Sequence, residues 1–298
     1  MSAYDEIEKI IFSFGVEAAT KGGQEACDRV EYGHRFHFED ADALRYLMEN
    51  AIKLSQSSMD RLKGNIDAVI EAGVRDGKPL REVTKEVQAV FENFKGWEAE
   101  RVARTEVARA TNAGAITGYK EMGIGVAEVV ANAGACPKCA ALNGELYPTD
   151  QAMRVLPRHP NCYCFWIPRP DITNPNVKDW RSFGEISNEV IRGLGLTTAF
   201  NRVSAGPDGI KHISEKSEFH PNSVEKARVV VESAEMGIVQ KNGVLCLIMD
   251  HPDGGWYFVP IKHTDDYGYI IKTAFHIGQN RKNWFYKNLD EAEKRYGI

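Results

Sequence analysis

The sequence predicts a multidomain α+β protein, and three observations support this class. Apolar residues recur at helical spacing through most of residues 3–122, where no strand pattern appears. Four cysteines and a histidine then follow within residues 136–164, next to a short β-branched segment. Residues 244–275 hold three short β-rich segments separated by turn sequences. We therefore expect a helical N-terminal body with a small zinc-knuckle β end, followed by a small domain of helices and an antiparallel meander.

Composition narrows the class of protein further. A chain of 298 residues has room for two domains, and its 43% hydrophobic and 27% charged residues are typical of globular proteins. The net charge of −5 does not indicate that the chain as a whole binds nucleic acid. We expect no membrane span, because no apolar run approaches the required length. We also expect no secretory leader, because acidic residues interrupt the apolar positions of residues 1–12.

Four helices are predicted before the cysteine-rich stretch. The first covers residues 3–20 and is expected to end at Gly22-Gly23. A long helix fills residues 39–74, and Pro79 starts another whose valines share one face. The fourth begins at Trp97 and runs to about Met122.

The fourth helix carries a polar strip beside small alanines. The strip consists of Arg101, Arg104, Thr105, Arg109 and Asn112, which helical spacing places on adjoining rows. Because the alanines allow close approach of another backbone, we expect these polar groups to tie the helix to the cysteine-rich stretch. A solvated face with ordinary ion pairs and a catalytic role are the alternatives.

The cysteine-rich stretch has the spacing of a zinc site. Cys136 and Cys139 form a C-x-x-C, and His159 and Cys162 form an H-x-x-C, with Cys164 two residues later. Tetrahedral zinc takes four such ligands, commonly from two short loops. The spacing predicts a structural zinc ion held by Cys136, Cys139, His159 and Cys162, with Cys164 as the alternative to Cys162.

Other uses of these cysteines stay open. A C-x-x-C can be a redox pair, although no alternating strand and helix pattern of the thioredoxin type surrounds this one. Four cysteines can also pair into two disulfides, which the reducing compartment expected for a chain without a leader disfavours. Disulfides or free thiols are therefore the alternatives to a metal.

Residues 97–164 carry three motifs in a fixed order: the helix WEAERVARTEVARATNAG, the C-x-x-C followed by Asn-Gly, and the ending LPRHPNCYC. Over roughly residues 40–170 this order resembles the phage Mu F-like minor head, or head morphogenesis, proteins. The chain departs from that pattern at Asn132, where the family usually has an acidic residue, and at Tyr163, where it usually has arginine. The resemblance implies a virion component found in the particle or the host bacterial cytoplasm, with portal or capsid proteins as partners.

Two strands should flank the cysteine-rich stretch. Residues 125–131 are β-branched between glycines, and residues 165–167 return before Pro168 and Pro170. The following residues are rich in Pro, Asn, Ser, Thr and Gly, which favours a linker. We divide the chain into an N-terminal helical extension (1–38), a Mu F-like domain (39–170), a linker (171–204) and a C-terminal domain (205–298).

The C-terminal domain is predicted to contain one or two helices and an antiparallel β-meander. A helix is expected from about Ser223, followed by strands at 244–249, 256–261 and 269–275. Lys241-Asn242-Gly243 is a strong hairpin signal, and further loops are expected at 251–255 and 265–268. Asn288 is expected to cap a last short helix, with Glu291 in the capping-box position.

This domain also holds five of the eight histidines: His212, His220, His251, His263 and His276. Cleavage of RNA through its own 2′-hydroxyl needs a base, an acid and a cation, and no metal. We assign His212 as the proton carrier, Thr273 as the first choice for a phosphate contact, and Lys262, Lys272 or Arg281 as the cation. Strand alternation puts Lys272 and Thr273 on opposite faces. Alternatively, His212 caps the helix or packs against Trp256.

Gly209-Ile-Lys-His-Ile213, a helix, a meander and a closing Ile-Lys-Thr-Ala-Phe make up residues 204–290. This arrangement resembles the phage-associated nucleases related to barnase, EndoU, colicins E5 and D, and RelE. The resemblance implies a metal-independent endoribonuclease acting as a toxin or effector, with RNA such as tRNA as substrate and an immunity protein as partner. The alternative is a structural capsid or portal-associated protein whose C-terminal domain is a non-catalytic binding module.

Overall fold

The computed structural model describes residues 3–30, 36–93, 99–196, 200–215, 222–252 and 254–297. The chain divides into two compact units, and the chain enters each of them more than once. The first unit contains Met1–Gly123, Val130–Ala141 and Thr149–Pro168, and the second contains Ile124–Val129, Leu142–Pro148 and Arg169–Ile298. The α+β class is confirmed, since helices dominate the N-terminal half and strands the C-terminal half.

The helices and strands follow in this order. The helices are α1 (Ala3–Arg29), α2 (Ala41–Arg75), α3 (Leu80–Asn93), α4 (Ala99–Glu121), α5 (Pro137–Ala140), α6 (Thr149–Ala152), α7 (Asn188–Gly193), α8 (Pro207–Ser214), α9 (Ser223–Ser233) and α10 (Lys282–Glu291). The strands are β1 (Val126–Val130), β2 (Leu146–Pro148), β3 (Phe165–Pro168), β4 (Arg181–Glu185), β5 (Arg202–Ala205), β6 (Met236–Val239), β7 (Leu245–Asp250), β8 (Trp256–Thr264), β9 (Gly268–Ile271), β10 (Phe275–Ile277) and β11 (Lys294–Tyr296).

The helices of the first unit form where local signals predicted them. Asp40 caps α2 by accepting the N–H of Ala43 at 2.7 Å, and α3 starts directly after Pro79. The predicted start of the fourth helix at Trp97 lies outside the described residues, and α4 is described from Ala99. None of the described helices is long and apolar enough to cross a membrane.

Helix α1 is longer than the sequence predicted, because it continues through Gly22 and Gly23. A Cβ atom on Gly22 would overlap the backbone of Thr111 in α4, and one on Gly23 would overlap the ring of Phe36. The two glycines therefore permit close packing and do not end the helix. Buried residues of α1, α2 and α4 share one core, so residues 1–38 belong to the first unit and are not a separate extension.

The second unit is built on one large sheet with the strand order β11-β6-β7-β8-β9-β5-β4, with β10 beside the first part of β8. Its pairs are antiparallel except β5 with β9. The three predicted hairpins are confirmed, joining β6 to β7, β7 to β8 and β8 to β9. Alternate residues of β7 enter two different cores, which explains its uninterrupted apolar sequence: one core includes α9 and the other α10.

The expected linker over residues 171–204 is corrected by the structure. This segment contains β4, α7 and β5, and β5 lies inside the large sheet between β4 and β9. The apolar residues of the segment are core residues, among them Phe183, Ile186, Val190 and Val203. The C-terminal unit therefore does not begin at residue 205. The elements are only four to six residues long, which is too short for a clear periodic pattern among polar residues.

Two further expectations near the C-terminus are corrected. The strand predicted at 269–275 is two strands, β9 and β10, and residues 272–274 lie between them. The alternation argument for Lys272 and Thr273 therefore does not apply. Asn288 lies inside α10 and donates its side-chain N–H to the carbonyl of Trp284 at 2.8 Å, so it does not cap this helix.

Candidate metal centre

The five predicted donor residues of the cysteine-rich stretch converge in the first unit. Nε2 of His159 lies 3.2 Å from Sγ of Cys136 and 3.0 Å from Sγ of Cys139. Cys139 in turn lies 3.6 Å from Cys162, sulfur to sulfur. Zinc–sulfur bonds of about 2.3 Å in a tetrahedron separate the ligand atoms by about 3.8 Å, so each of these three pairs is close enough to share one cation.

The donors form two overlapping groups that share Cys139. One group is Cys136, Cys139 and His159, and the other is Cys139, Cys162 and Cys164; within each group all donor atoms lie within 4.8 Å of one another. All five residues line a cavity of about 240 Å³. All six cysteines of the chain have free thiols, so the disulfide alternative is not realised in this structure.

Short local structures position the side chains that could bind a metal. Cys136 precedes α5 with Pro137 at its first position, and Cys139 lies within this helix. His159 and Cys162 lie in the loop between α6 and β3, where Asn161 adopts a left-handed backbone conformation with φ of 60°. The donors thus come from one helical turn and one tight bend, and zinc ligands are commonly supplied by two such short segments.

Backbone N–H groups stabilise the thiolate form of two of the cysteines, and the thiolate is the form that binds a metal. The N–H groups of Cys139 and Lys138 lower the pKa of Cys136. Burial raises the pKa of Cys162, but N–H groups in the same loop outweigh it and the net pKa is lowered. Burial is the main cause of the raised pKa of Cys139 and of Cys164. Since metals bind thiolates, Cys136 and Cys162 are the readiest sulfur ligands.

The orientation of His159 is fixed by its other ring nitrogen. Nδ1 lies 2.7 Å from the carbonyl oxygen of Pro160, which can only accept, so Nδ1 carries the proton. Nε2 is then unprotonated, and its lone pair is available to a metal ion on the side of the cysteines. Metal-binding histidines are commonly oriented by this kind of hydrogen bond.

Helix α4 holds the loop that carries the last donors. Thr105 Oγ1 accepts the N–H of Asn161 at 3.1 Å, and Asn112 Nδ2 donates to the carbonyl of Cys164 at 3.0 Å. Thr105 is 7% exposed and Asn112 is 4% exposed. Hydrogen bonds in such buried positions are costly to lose. The expectation that the polar strip ties this helix to the cysteine-rich stretch is confirmed for these two residues.

The other members of the strip act elsewhere. Nε of Arg109 lies 3.1 Å from both carboxylate oxygens of Glu106, and its Nη1 donates to the hydroxyl of Tyr46 at 3.1 Å. Burial raises the pKa of Glu106, although Arg109 opposes the shift. Arg104 pairs with Glu100 on an exposed face. These contacts join α4 to α2 and to itself.

The residues assigned to RNA cleavage are only partly brought together in the second unit. His212 lies in α8 and is exposed, and it lines a cleft of about 590 Å³ with Lys272, Trp180 and Tyr267. Thr273, Lys262 and Arg281 are not among the residues that line this cleft.

Between the described residues His212 and Trp256 no contact is observed, and Trp256 instead stacks on Phe285 at 3.8 Å between ring centroids. The expected histidine cluster also divides: the rings of His251 and His276 lie 4.0 Å apart, and His263 packs against Tyr269. His220 lies outside the described residues.

A buried ion network in the second unit was not predicted. The Arg169 side chain is fully buried, donating to both carboxylate oxygens of Asp171 at 2.9 and 2.7 Å and to Glu128 at 3.1 Å. Arg202 donates to the other oxygen of Glu128 at 2.8 Å. Arg169 and Asp171 are two residues apart, but Glu128 lies 41 residues from Arg169 and 74 residues from Arg202, so no local motif links the network and only the structure reveals it. Buried charges persist when they are paired in this way.

Comparison with protein-family models matches residues 64–167 to the family described as Phage Mu protein F like protein. Comparisons with curated proteins and with solved structures found no match. None of these comparisons supports the resemblance of residues 204–290 to nucleases. The matched segment includes α4 and all five donors of the candidate metal centre. Over residues 64–167, this chain is therefore similar to the phage Mu protein F like family.

Proposed function

We propose that this protein is a phage head-morphogenesis protein whose Mu F-like domain is stapled by one zinc ion. The observation that carries the proposal is that Cys136, Cys139, His159 and Cys162 line one cavity within the matched segment, in two donor groups that share Cys139. Two of these donors belong to the C-x-x-C turn and two to the H-x-x-C bend. One ion bound to all four ties together two loops that are separated by 20 to 23 residues.

The role of this zinc ion is structural. Four protein ligands fill a tetrahedral shell and leave no position for a substrate, whereas catalytic zinc keeps one open. Cys164 is the alternative to Cys162, because it lies in the second donor group. Thr105 and Asn112 position the loop that carries Cys162 and Cys164. Portal or capsid proteins are the proposed partners, and the virion is the proposed location.

Metal content tests the centre directly. The full chain purified without chelator should contain one zinc ion per chain, and Cys139→Ser should lose it, because Cys139 belongs to both donor groups. Cys246→Ser is the matched control, since Cys246 is also buried but lies in the large sheet of the second unit. A wild-type chain without zinc, or equal zinc in both variants, would contradict the proposal.

Association tests the role in the head. A tagged chain expressed in a lysogen should copurify with phage head proteins and appear in purified particles. Cys139→Ser should reduce this recovery and Cys246→Ser should not. Recovery of the wild-type chain only in the soluble fraction, with particles complete in its absence, would refute a head role.

A second candidate function is RNA cleavage by the second unit, and the shared cleft of His212 and Lys272 favours it. His212 takes the proton of the 2′-hydroxyl, whose oxygen attacks the adjacent phosphorus. The bond from phosphorus to the 5′-oxygen breaks, that oxygen takes up a proton, and a 2′,3′-cyclic phosphate forms. Lys272 offsets the charge that builds on the phosphate.

Incubation of the full chain with tRNA tests this chemistry. The wild type should release fragments that end in a cyclic phosphate, and His212→Ala should stop the release. His263→Ala is the control, since His263 lies on β8 outside the cleft. Intact tRNA with the wild type, or full activity of His212→Ala, would exclude His212 as the catalyst and leave the binding-module alternative.

A further inference from the structure

The surface formed by the start of α10 is basic and aromatic, unlike the chain as a whole. We define the α10 surface as Arg281, Lys282, Trp284, Tyr286 and Lys287, all of which are exposed. Residues 267–289 contain no aspartate or glutamate, whereas the whole chain has a net charge of −5. Asparagine or glutamine occupies positions 279, 280, 283 and 288 beside the cations. The α10 surface therefore offers hydrogen-bond donors and three positive charges, and the acidic residues nearest to it in sequence are Asp290 and Glu291 at the end of the helix.

The two aromatic rings of this surface are held in place and remain accessible. Trp284 is 43% exposed and packs edge-on against Phe258 at 6.0 Å and Phe275 at 6.2 Å between ring centroids. Tyr286 is 52% exposed and packs edge-on against Phe285 and Trp256. Because the rings rest on aromatic residues of the core, little conformational entropy is lost when a ligand stacks on them.

The cations are available for a ligand. Arg281 and Lys282 form no ion pair with any residue that the structure describes. Lys287 lies 3.8 Å from Glu291, and both side chains are highly exposed. Such an exposed pair contributes little and is readily exchanged for another anion. Three cations and two exposed rings therefore lie within about two helical turns, with Trp284 and Tyr286 on different sides of the helix.

We propose that the α10 surface binds single-stranded nucleic acid. Unpaired bases stack on exposed aromatic rings, and lysine and arginine neutralise the neighbouring phosphates. A duplex keeps its base faces stacked inside the helix, so it would use the charges but not the rings. None of the α10 surface residues lines the cleft that contains His212, so this inference is independent of RNA cleavage. It also goes beyond the zinc-stapled head domain proposed above.

The test uses the full chain and a fluorescently labelled oligomer of 20 deoxythymidines, read by anisotropy at 50 and 200 mM salt. DNA lacks the 2′-hydroxyl, so cleavage by the second candidate mechanism does not interfere. Binding should weaken with salt, and Trp284→Ala should weaken it about tenfold, the effect of losing one stacked base. Arg281→Glu with Lys282→Glu should weaken binding further and flatten its salt dependence.

Control variants and competing ligands show which kind of molecule binds the α10 surface. Two control variants lie elsewhere in the second unit. Lys241→Glu on the β6–β7 turn reverses an exposed charge, and Phe200→Ala removes an exposed aromatic ring. Both variants should bind the oligomer as the wild type does. Thermal melting checks each fold, and the exposed Lys282→Glu change keeps the test valid if Trp284→Ala unfolds. Equal binding by the surface variants, equal competition by duplex DNA, or preference for phosphatidylserine vesicles would overturn the inference.

Discussion

Replacing Asn112 by alanine should weaken metal binding without touching a metal ligand. The Asn112 side chain donates to the carbonyl of Cys164 at 3.0 Å and to the carbonyl of Ala108 at 2.8 Å. The first bond spans 52 residues and joins α4 to the loop of the metal centre. Asn112→Ala leaves the buried Cys164 carbonyl without this donor and frees the loop to move.

Two magnitudes follow from this geometry. An unsatisfied buried carbonyl costs about 1–3 kcal/mol of the free energy of unfolding. Loss of a residue that orients metal ligands typically lowers metal affinity by about 10–100-fold. We therefore expect Asn112→Ala to lower both quantities, with the α-helical content retained, because the other contacts of α4 with α1 and α2 remain.

A matched control separates the loop contact from the helix contact. Asn50 in α2 also donates to the carbonyl four residues earlier, Tyr46, at 2.6 Å, but no hydrogen bond to the cysteine-rich stretch is described for it. Asn50→Ala should therefore leave zinc affinity unchanged. Zinc affinity is measured by competition with a chromophoric chelator, and stability by urea unfolding of the zinc-loaded chain. Equal zinc affinity of the two variants would refute the positioning role of Asn112.

Three further predictions concern the second unit. Arg169→Met should lower the free energy of unfolding by about 3–5 kcal/mol in urea, because Glu128 and Asp171 stay buried without this partner; a loss below 1 kcal/mol would contradict it. A fragment of residues 205–298 should lack a cooperative unfolding transition, because it omits all of β4 and nearly all of β5 from the sheet; a sharp thermal transition would show that those strands are dispensable. Burial raises the pKa of the Cys246 thiol from 9.0 to about 12. The folded state therefore holds this proton more tightly, and the resulting stability is lost as pH rises from 9 to 12. Cys246→Ala should lose less stability than the wild type over that range, and identical slopes would refute the shift.

The sequence identified those parts of the fold whose signals are local. Asp40 marks the start of α2 through its side-chain cap, and Pro79 marks the start of α3. Glycine and asparagine at the turn around Gly243, where φ is 78°, identified the hairpin between β6 and β7. Each of these signals acts within a few residues, so one sequence is enough to read it.

The sequence was misleading where polar composition or a glycine pair concealed tertiary packing. Residues 171–204 look like a linker by composition, yet β5 lies inside the sheet and Val203 is fully buried. Gly22 and Gly23 look like a helix end, yet they allow α1 to approach its neighbours closely. Both features depend on what lies opposite, which local patterns do not contain.

The metal centre also depends partly on local sequence and partly on tertiary packing. The sequence by itself determined which residues are able to bind a metal, because cysteine and histidine have ligand chemistry wherever they occur and their spacing fits two chelating loops. Only the tertiary structure decided that Cys139 belongs to both donor groups and that Thr105 and Asn112 hold the second loop. Thr105 accepts a hydrogen bond from a residue 56 positions away and Asn112 donates one to a residue 52 positions away, so this geometry exists only once α4 has packed against the cysteine-rich stretch.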